Sequence, residues 1–472
     1  MTIKLLNSML FWILLIFFLI TWSYTVFLFG SMAVVLTIAM VIFIIILAKI
    51  IKDPFWGVTS LIFFLPFERI PSIDIGSMNL KVNQILGGVT LISWILSLIF
   101  NKRKIMPNIL AWSIIVFLTI CFISLSQSGY LPRSLTVYIF IIFTILISLP
   151  VYNLIDSKEK LQKIIRIIFY SSLVVGIFAI WQFLGDLAGL PTYLTGLRDA
   201  YTKHVFGFPR VQAFSNEPLY LANFLLLPLG LSISLFLGKI YPIKKSIFFT
   251  LIIILILSLS LTVARSGYIG FIVMLLIILF VKFKKVFTTK NILIISSIII
   301  IACGGTYWFL SRSETGSLDR FITRITLQDI SQGDSTIGRI NTYERALSYW
   351  QESPLIGIGI GNYAMRSKDY PPADEMKDWD IVNNEYIEIL TETGVLGLAS
   401  FIIIFMVLLW RSVLAYYRTN DELIKSIILG LSAALVAVLI QYNFFSTLYI
   451  VYFWVLVALI VATQNLCFKD NK

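Results

Sequence analysis

Long apolar runs alternate with short polar breaks along almost the whole chain. Runs of the length needed to cross a bilayer, about 20 residues as helix, occupy 5–48 (two spans), 82–100, 107–125, 135–152, 164–183, 219–237, 247–264, 267–281, 292–310, 386–409, 426–442 and 446–464. A shorter run, 54–66, is broken by Pro66 and reads as a further span or a re-entrant segment. Ser157–Arg166 is basic and amphipathic, a surface stretch feeding the next span. The pattern predicts an all-α, polytopic integral membrane protein of about 12–14 transmembrane helices.

One polar stretch interrupts the pattern. Three regions follow: helices over 1–310 with a shorter outer segment at 185–218, a large extracytoplasmic loop over 311–385, and C-terminal helices with a cytoplasmic tail over 386–472. Within the loop, Thr336–Ser353 reads as an interfacial helix. Ser335 or Thr336 caps it, Tyr343, Leu347 and Trp350 share a face, and Pro354 stops it. Pro354–Tyr363 is an apolar glycine-rich turn that lets backbone approach a ligand closely.

Composition agrees. Of 472 residues, 58% are hydrophobic and 13% charged, and the mean hydropathy of +0.91 lies outside the soluble range. The net charge of +12 does not read as nucleic-acid binding. Its lysines and arginines gather on alternate loops, which orients both termini to the cytoplasm and the long loop outward. The first apolar run has no small-residue cleavage site and reads as a span. Cys121, Cys303 and Cys467 are scattered, and His204 is the one histidine. No metal site and no cofactor is expected.

Candidate chemistry gathers at the outward breaks. Arg265 sits between two spans with almost no loop, either as an anchor of a tight hairpin or as a fork for phosphate oxygens. Arg339 opens the loop helix, where a cation opposes the macrodipole but joins free amides in an anion site; alternatively it is a solvated charge. Asn383, Asn384 and Glu385 stand where the loop enters a span, and Glu388 and Glu392 continue on the same face. Any of these carboxylates is a candidate general base for a sugar hydroxyl; the structural alternative is capping, with Asn383 as N-cap. Arg210 and Glu217 flank another span entry, as an ion pair or as base and substrate contact. His204 reads as an incidental loop histidine.

Three motifs, in this order, resemble the O-antigen ligase and polymerase family of bacterial envelope glycan assembly. They are Ala264-Arg265-Ser266-Gly267-Tyr268; Arg339 followed by Pro354-Leu355-Ile356-Gly357-Ile358-Gly359; and Asn383-Asn384-Glu385-Tyr386-Ile387 running into Glu392-Thr393-Gly394-Val395-Leu396-Gly397-Leu398. The Arg210–Pro228 stretch is similar to the family's entry to a middle span. The resemblance spans residues 205–410. It implies transfer of a glycan from an undecaprenyl diphosphate carrier at the outer face of the bacterial cytoplasmic membrane.

By that resemblance Arg265 and Arg339, with Arg210 beside them, match the diphosphate contacts. Glu385, Glu217 and Asn383 are the candidate catalytic positions; Asn384, Tyr386 and Glu388 are the candidate glycan contacts. The ligase branch carries a His-Asn pair where this chain has Asn383-Asn384. An amide is no base, so the expectation leans to the polymerase branch, which joins lipid-linked repeat units into a surface polysaccharide. Ligation of finished glycan to a lipid, wall or protein acceptor is the alternative, and a transporter of the same lipid is a third reading. A flippase and a chain-length regulator are the expected partners besides the bilayer and the lipid-linked substrate.

Overall fold

The computed structural model describes residues 31–69, 72–75, 78–101, 105–202, 208–282, 334–367, 380–446, 448 and 450–469. The spans expected before residue 31 and over 292–310, His204 and most of the long loop lie outside them. The described residues form helices α1 (Ser31–Lys52), α2 (Pro54–Phe63), α3 (Val82–Asn101), α4 (Ala111–Ser124), α5 (Leu131–Leu154), α6 (Lys158–Leu187), α7 (Pro218–Leu237), α8 (Lys245–Leu261), α9 (Arg265–Val281), α10 (Asp334–Glu352), α11 (Glu385–Arg418), α12 (Glu422–Gln441) and α13 (Val451–Lys469). Seven of these are long and apolar enough to cross a membrane, as expected of a polytopic all-α membrane protein.

Local chemistry sets the boundaries. Asp53 caps α2, with Pro54 at its first position, where the missing N–H costs nothing. Ser157 caps α6 through the Lys160 amide, so the basic stretch Ser157–Arg166 opens a continuous helix instead of lying apart on the surface. Asp421 accepts from Leu423 and Ile424 at the start of α12.

The ends of the long helices sort into two sets. At one end Lys158 pairs with Asp421, Lys282 approaches Glu422 at 3.8 Å, and Asn465 donates to the Pro107 carbonyl at 2.9 Å. The opposite end gathers the starts of α5, α7, α9, α11 and α13 and the close of α12.

The core is α7, α12 and α13, with α13 almost wholly enclosed. Helix α7 crosses α12 at Gly230 and Gly430: a Cβ on either would meet the other's carbonyl oxygen at 2.6 Å. Membrane helices come this close where both faces are small.

The apolar run after Asp53 crosses the bundle as the half-length helix α2 and an irregular buried segment. Its backbone is satisfied inside protein, as irregular chain at membrane depth requires: Ser171 donates to Phe63 O and Asn83 donates to Leu65 O at 3.2 Å, while just outside the run the Glu68 and Arg69 amides donate to Phe214 O. Beyond it the expected loop holds a short antiparallel hairpin, β1 (Ser72–Ile75) with β2 (Met78–Lys81), pairing Ser72 with Lys81 and Ile75 with Met78.

Candidate functional site

The last carbonyls of a helix have no partner within it, and those closing α12 are taken by segments that carry the candidate residues. The Glu385 amide donates to Tyr442 O at 2.8 Å, and the Tyr386 hydroxyl donates to Leu439 O at 2.6 Å. The Asn384 amide nitrogen and the Tyr343 hydroxyl both reach Asn443 O at 3.3 Å. Tyr343 lies one turn after Arg339 on α10, and residues four apart share a helix face.

The Gln441 side chain works in the other direction. Its Nε2 donates to Leu219 O at 3.3 Å and Ser266 Oγ at 3.4 Å, in the first turns of α7 and α9. Its Oε1 accepts from Asn223 Nδ2 at 2.9 Å, and Tyr452 OH closes the network on Asn223 Oδ1 at 2.6 Å. Starts of α7, α9 and α11 and the middle of α10 are therefore tied to one turn of α12. Arg265 is the first residue of α9 and is half-buried.

Glu385, Glu388 and Glu392 share one face of α11 and line a small pocket together with Asp380 and Arg133. Glu392 is committed to structure: its Oε2 accepts from Gly361 N at 2.7 Å and its Oε1 from Tyr363 N at 3.1 Å. Glu388 Oε2 accepts from Val382 N at 2.9 Å.

Directly after Glu392 the helix breaks, with Gly394 at φ 68°, ψ −172°. The glycine-rich turn repairs the break. Val395 N donates to Pro354 O at 2.9 Å, Ile358 N to Thr391 O at 3.0 Å and Gly359 N to Glu392 O at 3.0 Å. The close approach expected of these glycines is made to protein: a Cβ on Gly357 would sit 2.3 Å from Glu392 C of α11, one on Gly359 3.0 Å from Ser128 Cα just after α4, and one on Gly361 2.7 Å from Val137 Cγ2 of α5, while one on Gly394 would sit 2.2 Å from Leu355 C.

A cationic group lies at the α8–α9 turn. Arg210 Nε donates to Thr262 O at 3.3 Å. Burial lowers the Arg210 pKa; the neighbouring Arg265 charge adds to this, while Tyr201, Glu217 and Tyr268 oppose it. Glu217 itself is exposed at the N-cap of α7 and makes no capping bond. Non-glycine residues with positive φ stand just before each of the three entries: Ala213 (φ 46°), Val263 (φ 50°) and Asn383 (φ 58°). Such strain is kept where surrounding structure over-determines it, often at functional sites.

Two expectations change in detail. The N-cap of α11 is Asn384, whose Oδ1 accepts from Tyr386 N and Ile387 N at 3.1 Å each; Asn383 precedes it in the left-handed region. The packed face of α10 carries Tyr343, Ala346 and Tyr349, while Leu347 is exposed. Arg133, Asp380, Asn223 and Gln441 were not among the sequence candidates. Asn223 and Gln441 had a signal, being amides inside apolar spans. Arg133 had none that separates it from an ordinary interfacial cation.

Bundle and polar end together define a multi-pass membrane protein with its polar chemistry gathered at one end of the helices. Residues 249–402 match the model of a family described as O-antigen ligase. The matched region, about a third of the chain, covers nearly all of α8, then α9, α10 and the first half of α11; it does not distinguish polymerase from ligase. No curated protein matches the chain.

Proposed function

We propose that the protein polymerises lipid-linked oligosaccharide repeat units, taking the growing glycan from undecaprenyl diphosphate at the outer face of the bacterial cytoplasmic membrane. The observation that carries this reading is the single turn of α12 to which Arg265 is tied through Ser266, Glu385 through its own amide, and the Arg339 face of α10 through Tyr343. The lysine-rich opposite end of the bundle supports an outward site.

The acceptor hydroxyl oxygen attacks the anomeric carbon of the donor glycan. A C–O bond forms there, the bond to the phosphate oxygen breaks, and undecaprenyl diphosphate leaves with the electron pair. Arg265, Arg210 and Arg339 offset the charge on that leaving group. The hydroxyl proton passes to Glu385, the α11 carboxylate nearest the cationic turn in the hydrogen-bond chain; Glu217 is the second candidate. Glu388 and Asp380 line the acceptor pocket with Glu385. Asn384 and Tyr386 hold the entry in shape through the cap and through Leu439 O, and Asn383 supplies the bend before it.

Arg265→Lys keeps the charge but loses the two-pronged fork, and we expect roughly a hundredfold slower polymerisation. The readout is the chain-length ladder of surface glycan in a deletion strain complemented with the variant; a normal ladder would sink the role. The family description favours ligation as the second reading. A strain lacking a ligase accumulates full-length glycan on the carrier, whereas one lacking a polymerase holds single repeat units. A flippase that delivers the lipid-linked units and a chain-length regulator are the partners that fit this reading.

A further inference from the structure

We propose that Gln441 is a positioning residue that sets the Arg265 guanidinium in register with Glu385; this rests on the diphosphate role given to Arg265. Gln441 is fully buried, and its amide bonds two neighbouring helices, α7 and α9, at once. Its two ends are occupied: Oε1 by Asn223, and Nε2 by Leu219 O and Ser266 Oγ. The adjoining Tyr442 carbonyl takes the Glu385 amide at 2.8 Å. Two successive residues thus fix the first turn of α9 on one side and the first residue of α11 on the other.

The first turn of α9 packs closely on α7, since a Cβ on Gly267 would lie 2.7 Å from Ala222 Cβ. One turn on, Gly270 packs against Ala437 O of α12 and Leu226 of α7, where a Cβ would lie 3.0 and 3.2 Å away. The hydrogen bond from Gln441 to Ser266 Oγ adds a polar constraint one residue from Arg265. An amide inside a membrane bundle is costly unless every donor and acceptor is met, and here all of them face the start of a helix that carries a candidate site residue.

The test is a double-mutant cycle on binding, with undecaprenyl diphosphate titrated into the purified, detergent-solubilised full chain. Gln441→Leu should weaken binding about fivefold in the wild-type background and have no further effect in Arg265→Lys, because a positioning residue acts only through what it positions. A merely structural role would lower the melting temperature and weaken binding equally in both backgrounds; that additive outcome overturns the inference while leaving the role of Arg265 standing. If Arg265→Lys alone binds as wild type, both fail. Should Gln441→Leu not fold, Ser266→Ala removes a single oxygen and runs the same cycle: coupling to Arg265→Lys supports the inference, and additivity overturns it.

Discussion

Substituting Gly394 by alanine tests the joint between α11 and the glycine-rich turn. The residue holds φ 68°, ψ −172°, a region open essentially to glycine alone, and a side chain there costs about 1–3 kcal/mol. The new Cβ would also lie 2.2 Å from Leu355 C and O and 2.5 Å from Ile356 N. Those are backbone atoms already paired across the break, so they cannot swing aside as a side chain would. Overpacking of this kind adds about 1–3 kcal/mol, for a total of roughly 4 kcal/mol, a large part of a typical folding free energy. Denaturant unfolding of the solubilised protein, followed by tryptophan fluorescence, reads the loss, and hydrogen exchange over residues 354–363 should rise. Gly338→Ala is the control, since a Cβ there meets nothing within 4 Å; in an exposed helix it should be neutral or gain about 1 kcal/mol. A Gly394→Ala protein within 1 kcal/mol of wild type, or an equal loss in the control, would refute the account.

Two further substitutions probe charge. Arg133→Gln leaves Asp380, Glu385, Glu388 and Glu392 around the pocket without the cation on its wall; stability should fall by about 2 kcal/mol, and Arg133→Lys should recover part of it in the same unfolding assay. Glu68 is buried outside the spans, one carboxylate oxygen has no hydrogen-bond partner among the described residues, and burial raises its pKa, with Lys81 opposing. A carboxyl with a raised folded pKa binds its proton more tightly folded than unfolded, so its contribution is full below the unfolded value and lost as pH rises through the folded one. The wild type should therefore lose stability as pH climbs above the ordinary carboxylate range, and Glu68→Gln should flatten that slope; parallel slopes in the two proteins would exclude Glu68 as its source.

What the sequence discloses is what hydropathy and capping decide locally. Spans beginning near Val82, Pro218, Lys245 and Arg265 fall within a few residues of the expected ones, and the loop helix expected at Thr336–Ser353 runs Asp334–Glu352. Asn383 and Asn384 show the limit of local signals. Both are good caps by residue type, and only the backbone angle, positive at Asn383, decides which one caps. The Gly357–Gly361 run announces close approach but not to what, since its neighbours lie some thirty residues further on, at Thr391–Leu396, and more than two hundred back, at Ser124, Ser128 and Val137. Gln441 reaches back more than two hundred residues to Leu219 and Asn223, a pairing no periodicity encodes.

The close of α12 explains how a membrane bundle holds its polar end in register. Unmet carbonyls at a helix end cost about 1–3 kcal/mol each when shielded from water, so they must find donors. Here the donors are Glu385 N, Tyr386 OH, Asn384 Nδ2 and Tyr343 OH, drawn from two different segments. Sliding α11 by one helical turn would strand three of these contacts together, and rotating α10 would strand the fourth. The requirement that lets α12 end among apolar neighbours is therefore the one that fixes Glu385 and the Arg339 face relative to it, while Gln441 extends the same frame to Arg265. Geometry at the site is a consequence of closing the bundle, which is why the loss of one oxygen at Ser266 should register in glycan transfer as well as in stability.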